Sequence, residues 1–323
     1  MRTRGPGLRG AAVIAAVALG VGLASACRQA GSPRPARRVV RFTTGTPGAG
    51  FYPLGRALAR AYAAAFPDLD VEVRGSAGSV SNVEALERGT ADIGLAYADV
   101  AYMAYAGRLG EGVPPYSNLR GMAVLELAPV HVIVGPGSDV RDVAGLRGRR
   151  IAVGPTGSGS ALTAQMIVRV LGVGTGGTRL ESLPYNEAAT RLAAGTLDAL
   201  FVTGSDPVES VRAVTRAGGR LLPLTGPAID RLRRDYPFFR QTAILGGTYP
   251  SNPDAVTTIG VDNLLVCRRG LDESLVHDLT RQFFASLPSL SMLSFMDLDQ
   301  APATPIPLHD GAARYYRERE LTR

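Results

Sequence analysis

The sequence predicts an α/β fold with two similar lobes, because two separate stretches repeat one pattern of helix end, turn and strand. Gly89 begins GTADIGLAYAD, and Gly195 begins GTLDALFVTGSD. In both, a Gly–Thr pair precedes an Asp, a short apolar run and a second Asp. An internal repeat of this length indicates two related structural units. Long apolar segments that follow each half then predict strands connecting the two units.

The first half alternates strands with helices. Strands are predicted in RVVRFTTG, LDVEVRGS and ADIGLAYAD, and helices in FYPLGRALARAYAAAF and SVSNVEALERG. The first helix has apolar residues at helical spacing. Ser79 or Ser81 is predicted to cap the second helix, and Gly89 to end it. Asp92 then stands at the start of the third strand, as a turn residue.

The second half repeats this order. Strands are predicted in RRIAVG, RLESLPY and LDALFVTG, and helices in ALTAQMIVRVLG and NEAATRLAAG, with a Gly-rich loop, PTGSGS, after the first strand. Asp198 occupies the position that Asp92 has in the first half. Parallel sheets bind ligands at the carboxyl ends of their strands, where helix N-termini point N–H groups outward. Two such lobes face to face predict a cleft.

Two apolar segments, MAVLELAPVHVIVGPG and TTIGVDNLLVCRRG, predict a pair of crossing strands that act as a hinge. A later helix, DESLVHDLTRQFFASL, is predicted to pack back on the first lobe. The predicted lobe I therefore comprises residues 39–129 with 258–323, and lobe II is an insertion of residues 130–257. The expected fold has two parallel or mixed sheets joined by a two-stranded hinge.

The N-terminus predicts an exported protein. Residues 1–26 combine a positive start with an uncharged apolar run, AAVIAAVALGVGLASA, which is typical of a signal peptide. The small residues before Cys27 resemble a bacterial lipobox, which predicts lipidation of Cys27; the alternative is a secreted protein cut near ASA. Residues 27–38, rich in Pro, Gly and Arg, predict a flexible tether. The expected location is the periplasm or the extracytoplasmic face of a membrane.

Composition argues against a nucleic-acid partner and a metal site. The net charge is +7 and the pI is about 9.8, but all 35 basic residues are Arg and no basic run alternates with aromatic residues. His131, His277 and His309 are isolated in the sequence, so we expect structural roles, with no metal and no catalytic triad. Cys267 lies in an apolar strand and is predicted to be a buried small hydrophobe.

The sequence does not favour an enzyme, and no cofactor is predicted. The loop GPTGSGS lacks the third Gly of a dinucleotide-binding fingerprint, because Leu162 stands there, and no Lys follows as in a phosphate-binding loop. No Ser lies in a G-x-S-x-G elbow. A two-lobed enzyme remains the less favoured alternative.

Several blocks resemble the TAXI-type solute receptors of tripartite ATP-independent periplasmic (TRAP) transporters. They are GTPGAGFYPLG, GSAGSVSNVEALERGTADIGLAYAD, LRGRRIAVGPTGSGS, RLRRDYPFF, GTYP and PLHDGAARYYRE, running from about Arg41 to the C-terminus. The resemblance implies a type II periplasmic-binding-protein fold. It also implies a receptor that delivers a small carboxylate, such as glutamate or a related acid, to a membrane permease. A receptor feeding an ABC importer or a sensor kinase is the alternative.

Binding a free carboxylate requires small residues, which let the backbone approach, and neutral donors at helix starts. Hydrogen bonds to a charged group contribute roughly 1.5–3 kcal/mol each, so three or four predict micromolar binding. Where the family often has Gln-Ser-Asp, this chain has Tyr97-Ala98-Asp99, and Tyr97 is expected to narrow the pocket. The candidate ligand residues are Thr46, Tyr52, Ser79, Ser81, Asn82, Tyr97, Asp99, Gly157, Ser158, Gly159, Ser160, Thr203, Gly204 and Tyr249.

Overall fold

The structure is a computed structural model that describes Met1 and residues 37–46, 50–294 and 296–321. Val39–Arg323 form one compact unit. Residues 2–36, which carry Cys27, nearly all of the predicted signal peptide and most of the predicted tether, lie outside the described residues. Within the described ranges, no helix has both the length and the apolar character needed to cross a membrane.

Lobe I begins with the predicted alternation of strands and helices. Strand β1 lies between β2 and β3 and runs parallel to β3. Helix α2 ends as predicted, because Gly89 has a φ of +69°, which favours glycine. The helix that follows β3 was not predicted. The elements are β1 (Arg38–Thr43), α1 (Phe51–Ala65), β2 (Leu69–Arg74), α2 (Ser79–Glu87), β3 (Ile93–Tyr97) and α3 (Ala98–Tyr105).

Lobe II repeats this arrangement and extends it. Strand β5 lies between β6 and β7 and is parallel to both. Gly195 ends α5 with a φ of +70°, as Gly89 ends α2. The elements are β5 (Arg150–Ala152), α4 (Gly159–Val170), β6 (Arg179–Glu181), α5 (Tyr185–Ala193), β7 (Ala199–Thr203), α6 (Glu209–Arg216), β8 (Arg220–Leu222), α7 (Pro227–Asp235) and β9 (Phe239–Ile244).

Two long strands connect the lobes: β4 (Leu119–Val134) and β10 (Val256–Arg268). They pair antiparallel with each other, while β10 also pairs with β3 and β9, and β4 also pairs with β7 and β8. The mixed sheets and the two connecting strands confirm the predicted fold class. The predicted lobe boundaries, at 129/130 and 257/258, fall inside these strands and stay a prediction.

The C-terminal region supports lobe I. Helix α8 (Glu273–Ser286) packs against α1 and against α9 (Asp310–Leu321), which agrees with the predicted return to this lobe. Cys267 is fully buried in β10, between β3 and β4. Burial also raises the pKa of its thiol. The prediction of a buried, small apolar Cys is confirmed.

The repeated Asp of each half binds the strand beside it. The Arg41 backbone N–H and Nε donate to Asp92 Oδ2 over 2.9 and 2.8 Å. In lobe II, the Arg150 backbone N–H and Nε donate to Asp198 Oδ2 over 2.7 and 2.9 Å. Each Asp stands just before β3 or β7 and ties it to the neighbouring parallel strand. The repeat therefore encodes a structural clamp at the amino ends of the strands.

Candidate functional site

The N-termini of α2 and α4 meet at the contact between the lobes. The Ser81 backbone N–H donates to the Gly157 carbonyl oxygen over 3.3 Å. A Cβ added to Gly157 would lie 2.8 Å from Ser81 Oγ, and one added to Gly78 would lie 3.3 Å from the Ser158 Cα. Both glycines also have positive φ values, +79° and +128°. The Gly- and Ser-rich segments of the two halves are therefore in contact, as a cleft between matched lobes requires.

The two helices begin differently. Helix α2 has no side-chain cap, so the predicted cap by Ser79 or Ser81 is wrong. The Ser79 hydroxyl instead accepts from the Tyr97 backbone N–H over 3.0 Å, because Tyr97 ends the adjacent strand. Helix α4 is capped by Ser158, whose Oγ accepts from the Ala161 N–H over 3.2 Å.

The first N–H groups of both helices remain available. The opening N–H groups of a helix have no intrahelical acceptor. In the described part of the chain, the N–H groups of Ser79, Val80, Gly159 and Ser160 form no hydrogen bond. The positive ends of the two helix dipoles add to these donors. The arrangement can bind a small anion through neutral groups alone.

Tyr97 spans the two lobes. Its hydroxyl donates to the Thr203 carbonyl oxygen over 2.7 Å, and Ser160 Oγ donates to the same oxygen over 3.2 Å. Its ring contacts Phe51 edge-on, with 5.2 Å between centroids. The residue is 9% exposed, and burial raises the pKa of its hydroxyl well above the usual range. Tyr97 is thus a fixed part of the cleft wall.

Asp99 makes a second contact between the lobes. Its Oδ2 accepts from Thr163 Oγ1 over 2.5 Å, and its Oδ1 accepts from the Val100 N–H over 2.7 Å. Both Asp99 and Thr163 are fully buried. Burial raises the pKa of Asp99 to about 6, although these hydrogen bonds favour the charged form.

The ionisable groups nearest to this contact are acids and phenols. The groups that raise the pKa of Tyr97 by their charge are Tyr185, Asp99 and Glu126. Burial also raises the pKa of Glu126. The donors seen at this contact are the hydroxyl groups of Tyr97, Ser160 and Thr163.

The chain matches a known family over nearly its whole length. The model of the NMT1-like family matches residues 42–319. The chain belongs to the NMT1-like family. Among solved structures, "Structure of a periplasmic transporter" is 15% identical with a TM-score of 0.54, and the match covers 89% of this chain and 94% of that one.

A second similar structure is XAC2383 from Xanthomonas citri. Its complex with ATP is 13% identical to this chain with a TM-score of 0.53, and the match covers 87% of this chain and 98% of that one. Its complex with a chloride ion is 12% identical with a TM-score of 0.52, covering 87% and 95%. At these identities, the similarity shows the fold alone, which this NMT1-like chain shares with periplasmic binding proteins.

Tyr185 of this NMT1-like protein lies beside the start of α4, and sequence reasoning missed it. Burial raises the pKa of its hydroxyl, and hydrogen bonding to Ser160 and Ser158 partly opposes the rise. A Cβ on Gly154 would lie 3.3 Å from its ring. Tyr185 opens α5 directly after β6, beside the loop that follows β5. The sequence could have indicated Tyr185, because it follows β6 and therefore lies at the same carboxyl edge as the loop after β5.

Asn82 has a structural role in lobe I, and its role as a ligand residue stays a prediction. Its Nδ2 donates to the carbonyl oxygens of Thr44 and Leu95 over 2.8 and 2.7 Å. Its Oδ1 accepts from Thr43 Oγ1 and Ser76 Oγ over 2.5 and 2.6 Å. All four hydrogen-bonding positions of the amide are therefore used within lobe I.

Tyr249 also lies outside the contact between α2 and α4. Its hydroxyl accepts from the Val208 N–H over 2.8 Å and lies 3.0 Å from His131 Nε2. His131 Nε2 is in turn 2.6 Å from Asp206 Oδ1. His131, isolated in the sequence, thus joins a buried cluster within lobe II. This cluster holds the loop after β7, which carries Asp206.

The structure places Tyr52 apart from the other candidates. It lines a surface groove of about 340 Å³ with Arg56, Arg60 and apolar residues of α1 and β2, and its hydroxyl accepts from Arg56 Nη1 over 3.3 Å. Its neighbour Phe51 contacts Tyr97 instead. Thr46 is exposed beside residues 47–49, which the structure does not describe. The Gly204 N–H donates to the Pro129 carbonyl oxygen over 3.2 Å, so Gly204 contacts β4.

Proposed function

We propose that this NMT1-like protein is an extracytoplasmic receptor that captures a small carboxylate between its lobes and delivers it to a TRAP-type permease. One observation carries the proposal: the N-termini of α2 and α4 meet across the lobes and leave neutral donors without acceptors. A carboxylate suits these donors, because it is negatively charged and its two oxygens can accept hydrogen bonds from several N–H groups. The protein would release the solute unchanged, and no catalytic step is proposed.

The neutral donors also rank the solutes. Each N–H or hydroxyl group that bonds the carboxylate contributes roughly 1.5–3 kcal/mol net. Because Asp99 and Glu126 lie nearby, a second negative charge on the solute is disfavoured, whereas an ammonium group is not. We therefore expect glutamine to bind more tightly than C4–C5 dicarboxylates, with glutamate between them, because its ammonium group only offsets its second carboxylate.

The TRAP assignment rests on the TAXI-like blocks of the sequence. These blocks lie within residues 42–319, the range that the model of the NMT1-like family matches. A receptor that feeds an ABC importer or a sensor kinase would use the same cleft with a different membrane partner. A gene for a multispanning TRAP permease beside the gene for this protein would support the proposal. Genes for an ATPase with its permease, or for a sensor kinase, in that place would contradict the TRAP assignment.

We further propose that β4 and β10 form a hinge near residues 129/130 and 257/258. These strands are long enough to pair within both lobes, so a small change in their twist would open the cleft. Small-angle scattering of the free and the solute-saturated protein should show a smaller radius of gyration with solute. Identical profiles at saturation would contradict closure.

Export and anchoring belong to the same proposal. Residues 1–26 would direct secretion, and Cys27 would carry the lipid. Cys27→Ala should move the protein from the membrane fraction to the soluble extracytoplasmic fraction. A wild-type protein that is already soluble would contradict the anchor and leave a secreted receptor.

A thermal-shift screen tests the solute class directly. Solute at 100 times its Kd stabilises the folded state by about 2.7 kcal/mol, which should raise the melting temperature by several degrees at roughly 2–4 °C per kcal/mol. We expect shifts with small carboxylates and none with sugars or phosphates. If sugars or phosphates shift the protein and carboxylates do not, the carboxylate assignment is wrong.

A pair of glycine substitutions locates the binding site. A Cβ at Gly159 would lie 2.3 Å from Tyr97 Cδ2, so Gly159→Ala should prevent closure and abolish the solute shift. The melting temperature without solute should fall as well, because the added Cβ also opposes the Tyr97–Thr203 and Asp99–Thr163 hydrogen bonds between the lobes, so the loss of the solute-dependent shift is the readout. Gly50→Ala is the matched control, since nothing lies within 4 Å of its Cβ position. An unchanged solute shift in Gly159→Ala would place the site elsewhere.

A further inference from the structure

A surface groove of lobe I lies between α1 and β2. Its volume is about 340 Å³, and Tyr52, Arg56 and Arg60 of α1 form one side of it. These residues are four apart in the chain, so they make one stripe along the helix. Val71 and Val73 of β2 line the other side, and both are half-buried. The groove therefore joins an apolar strand surface to a pair of guanidinium groups.

Strand β2 is the last strand at its end of the sheet, within the part of the chain that the structure describes, and it pairs there with β1 alone. An edge strand presents backbone N–H and C=O groups with which a further strand can pair. Asp70, Glu72 and Arg74 alternate with the two valines and do not line the groove. Arg74 Nη2 binds Glu72 Oε2 over 2.6 Å. The acidic side chains of β2 therefore point away from the arginines of α1.

Arg56 and Arg60 carry positive charge that no described acid neutralises. Both are exposed, and none of the ion pairs within the described ranges includes either of them. Arg56 Nη1 donates to the Tyr52 hydroxyl over 3.3 Å, and the guanidinium carbon lies 5.7 Å from the centre of the Tyr52 ring. This contact holds Arg56 beside the groove, and its other N–H groups can donate to an acidic partner.

The charge of the groove indicates what can occupy it. Residues 27–38, the predicted tether, contain four Arg and no acidic residue, so repulsion opposes their binding beside Arg56 and Arg60. An acidic segment has the complementary charge, and the spacing of the arginines suits an extended one. Arg56 and Arg60 are about 6 Å apart along the helix axis, and alternate residues of a strand are roughly 6.6 Å apart.

We propose that the edge of β2 and the two arginines of α1 form a docking surface for an acidic, extended segment of a partner protein. The segment adds to β2 as a further strand through main-chain hydrogen bonds. Its alternate residues are Glu, whose carboxylates bind Arg56 and Arg60 and whose methylene groups lie beside Val71 and Val73. The surface includes neither α2 nor α4, so its test does not depend on the proposed solute site.

The test is an NMR titration of the nitrogen-15-labelled protein with short capped peptides. The probe is TETETET, which has Glu at alternate positions. Three control peptides each remove one feature. TTEEETT keeps the composition and charge but loses the alternation, and TQTQTQT loses the charge. TETEPET keeps the three Glu but places a Pro within the strand, which removes a main-chain donor.

Paired substitutions test the arginines. Arg56→Gln with Arg60→Gln removes both positive charges from the groove. Arg231→Gln with Arg234→Gln is the matched control, because these two arginines are exposed, lie one turn apart on α7 and take part in none of the ion pairs among the described residues. Each double variant lowers the net charge by the same amount. Thermal melts check that both variants fold like wild type.

We expect TETETET to shift the amide signals of β2 and α1 and to bind more tightly than every control peptide. Two exposed ion pairs together account for roughly a tenfold change in Kd, so TQTQTQT and the Arg56/Arg60 variant should each bind about tenfold more weakly. The Arg231/Arg234 variant should bind like wild type.

Three results would overturn the inference. TTEEETT binding as tightly as TETETET, or equal losses in the two double variants, would show general charge attraction. TETEPET binding as tightly as TETETET would show an anion site without strand addition. Absence of TETETET binding to wild type would show that β2 is not a docking edge for an acidic strand.

Discussion

The two lobes share one arrangement at the amino ends of their strands and differ at the carboxyl ends. Before β3 and β7, Asp92 binds Arg41 of β1 and Asp198 binds Arg150 of β5, in each case an Arg of the neighbouring parallel strand. Beyond the same strands, the repeated Asp behaves differently. Asp99 is fully buried and bonds Thr163 of the other lobe, whereas Asp206 bonds His131 of its own lobe.

The two ends of the repeated segment therefore have different roles. The amino end aligns strands, and the carboxyl end lies at the contact between the lobes. The amino-end clamp is the same in both halves because it only needs to align parallel strands. The carboxyl ends face the cleft, where one lobe supplies Tyr97 and the other supplies the Thr203 carbonyl oxygen that bonds it. The symmetric edge aligns the parallel strands, and the asymmetric edge carries the contact at which we propose the solute site.

The clamps themselves are unequal, which gives the largest expected effect. The side chain of Asp92 is 4% exposed and also accepts from Arg268 Nε over 2.7 Å. The side chain of Asp198 is 23% exposed and, among the described arginines, hydrogen-bonds Arg150 only. Asp92→Ala should lower the free energy of unfolding by about 3–5 kcal/mol, since it breaks a buried ion network. Asp198→Ala should cost about 1 kcal/mol. Urea unfolding measures both.

The pH dependence gives an internal check on that prediction. The arginines and the hydrogen bonds they donate lower the pKa of Asp92 from 3.8 to about 2, although burial alone would raise it. A lowered pKa gives stability that is present above about pH 4 and is lost as the pH falls through about 2. Asp92→Asn should flatten this acid limb. Equal losses for Asp92→Ala and Asp198→Ala would contradict the idea that β10 reinforces only the lobe I clamp.

The sequence predicted the scaffold better than the site. The Gly stops at Gly89 and Gly195 and the apolar runs of β3 and β7 are local signals, so the repeat and the fold class followed from them. Asn82 looked like a ligand donor because it stands at a helix start. Its four partners come from other segments, which no local pattern shows. Tyr185 follows β6 at the carboxyl edge, which was a signal, but its contacts with Ser158 and Ser160 come from another segment.

Asp99 gives the next effect, with the opposite sign of pH dependence. Burial raises its pKa from 3.8 to about 6, so its contribution to stability is greatest below about pH 4 and is lost as the pH rises through about 6. The loss is on the order of 3 kcal/mol. Asp99→Asn lacks the charge, so the variant should gain on wild type between pH 4 and 7, with a constant gap above. Parallel urea-unfolding stabilities at pH 4 to 8 would contradict a buried charge at this contact.

Ser158→Ala gives the smallest effect and tests the other side of the cleft. Its hydroxyl caps α4 by accepting from the Ala161 N–H over 3.2 Å. Loss of the cap should cost about 1 kcal/mol of stability without solute. Ser81→Ala is the matched control in lobe I, because α2 has no side-chain cap and Ser79, unlike Ser81, is already bonded to the Tyr97 N–H. A loss in Ser81→Ala as large as in Ser158→Ala would contradict the different starts of α2 and α4.

A crystal structure with the best solute from the thermal-shift screen is the most direct test of the proposed binding site between α2 and α4. We expect a carboxylate within hydrogen-bond distance of the N–H groups of Ser79 and Gly159, with Tyr97 beside the solute. The groove lined by Tyr52, Arg56 and Arg60 is the main competing location. Solute bound in that groove, with none between α2 and α4, would contradict the proposed site.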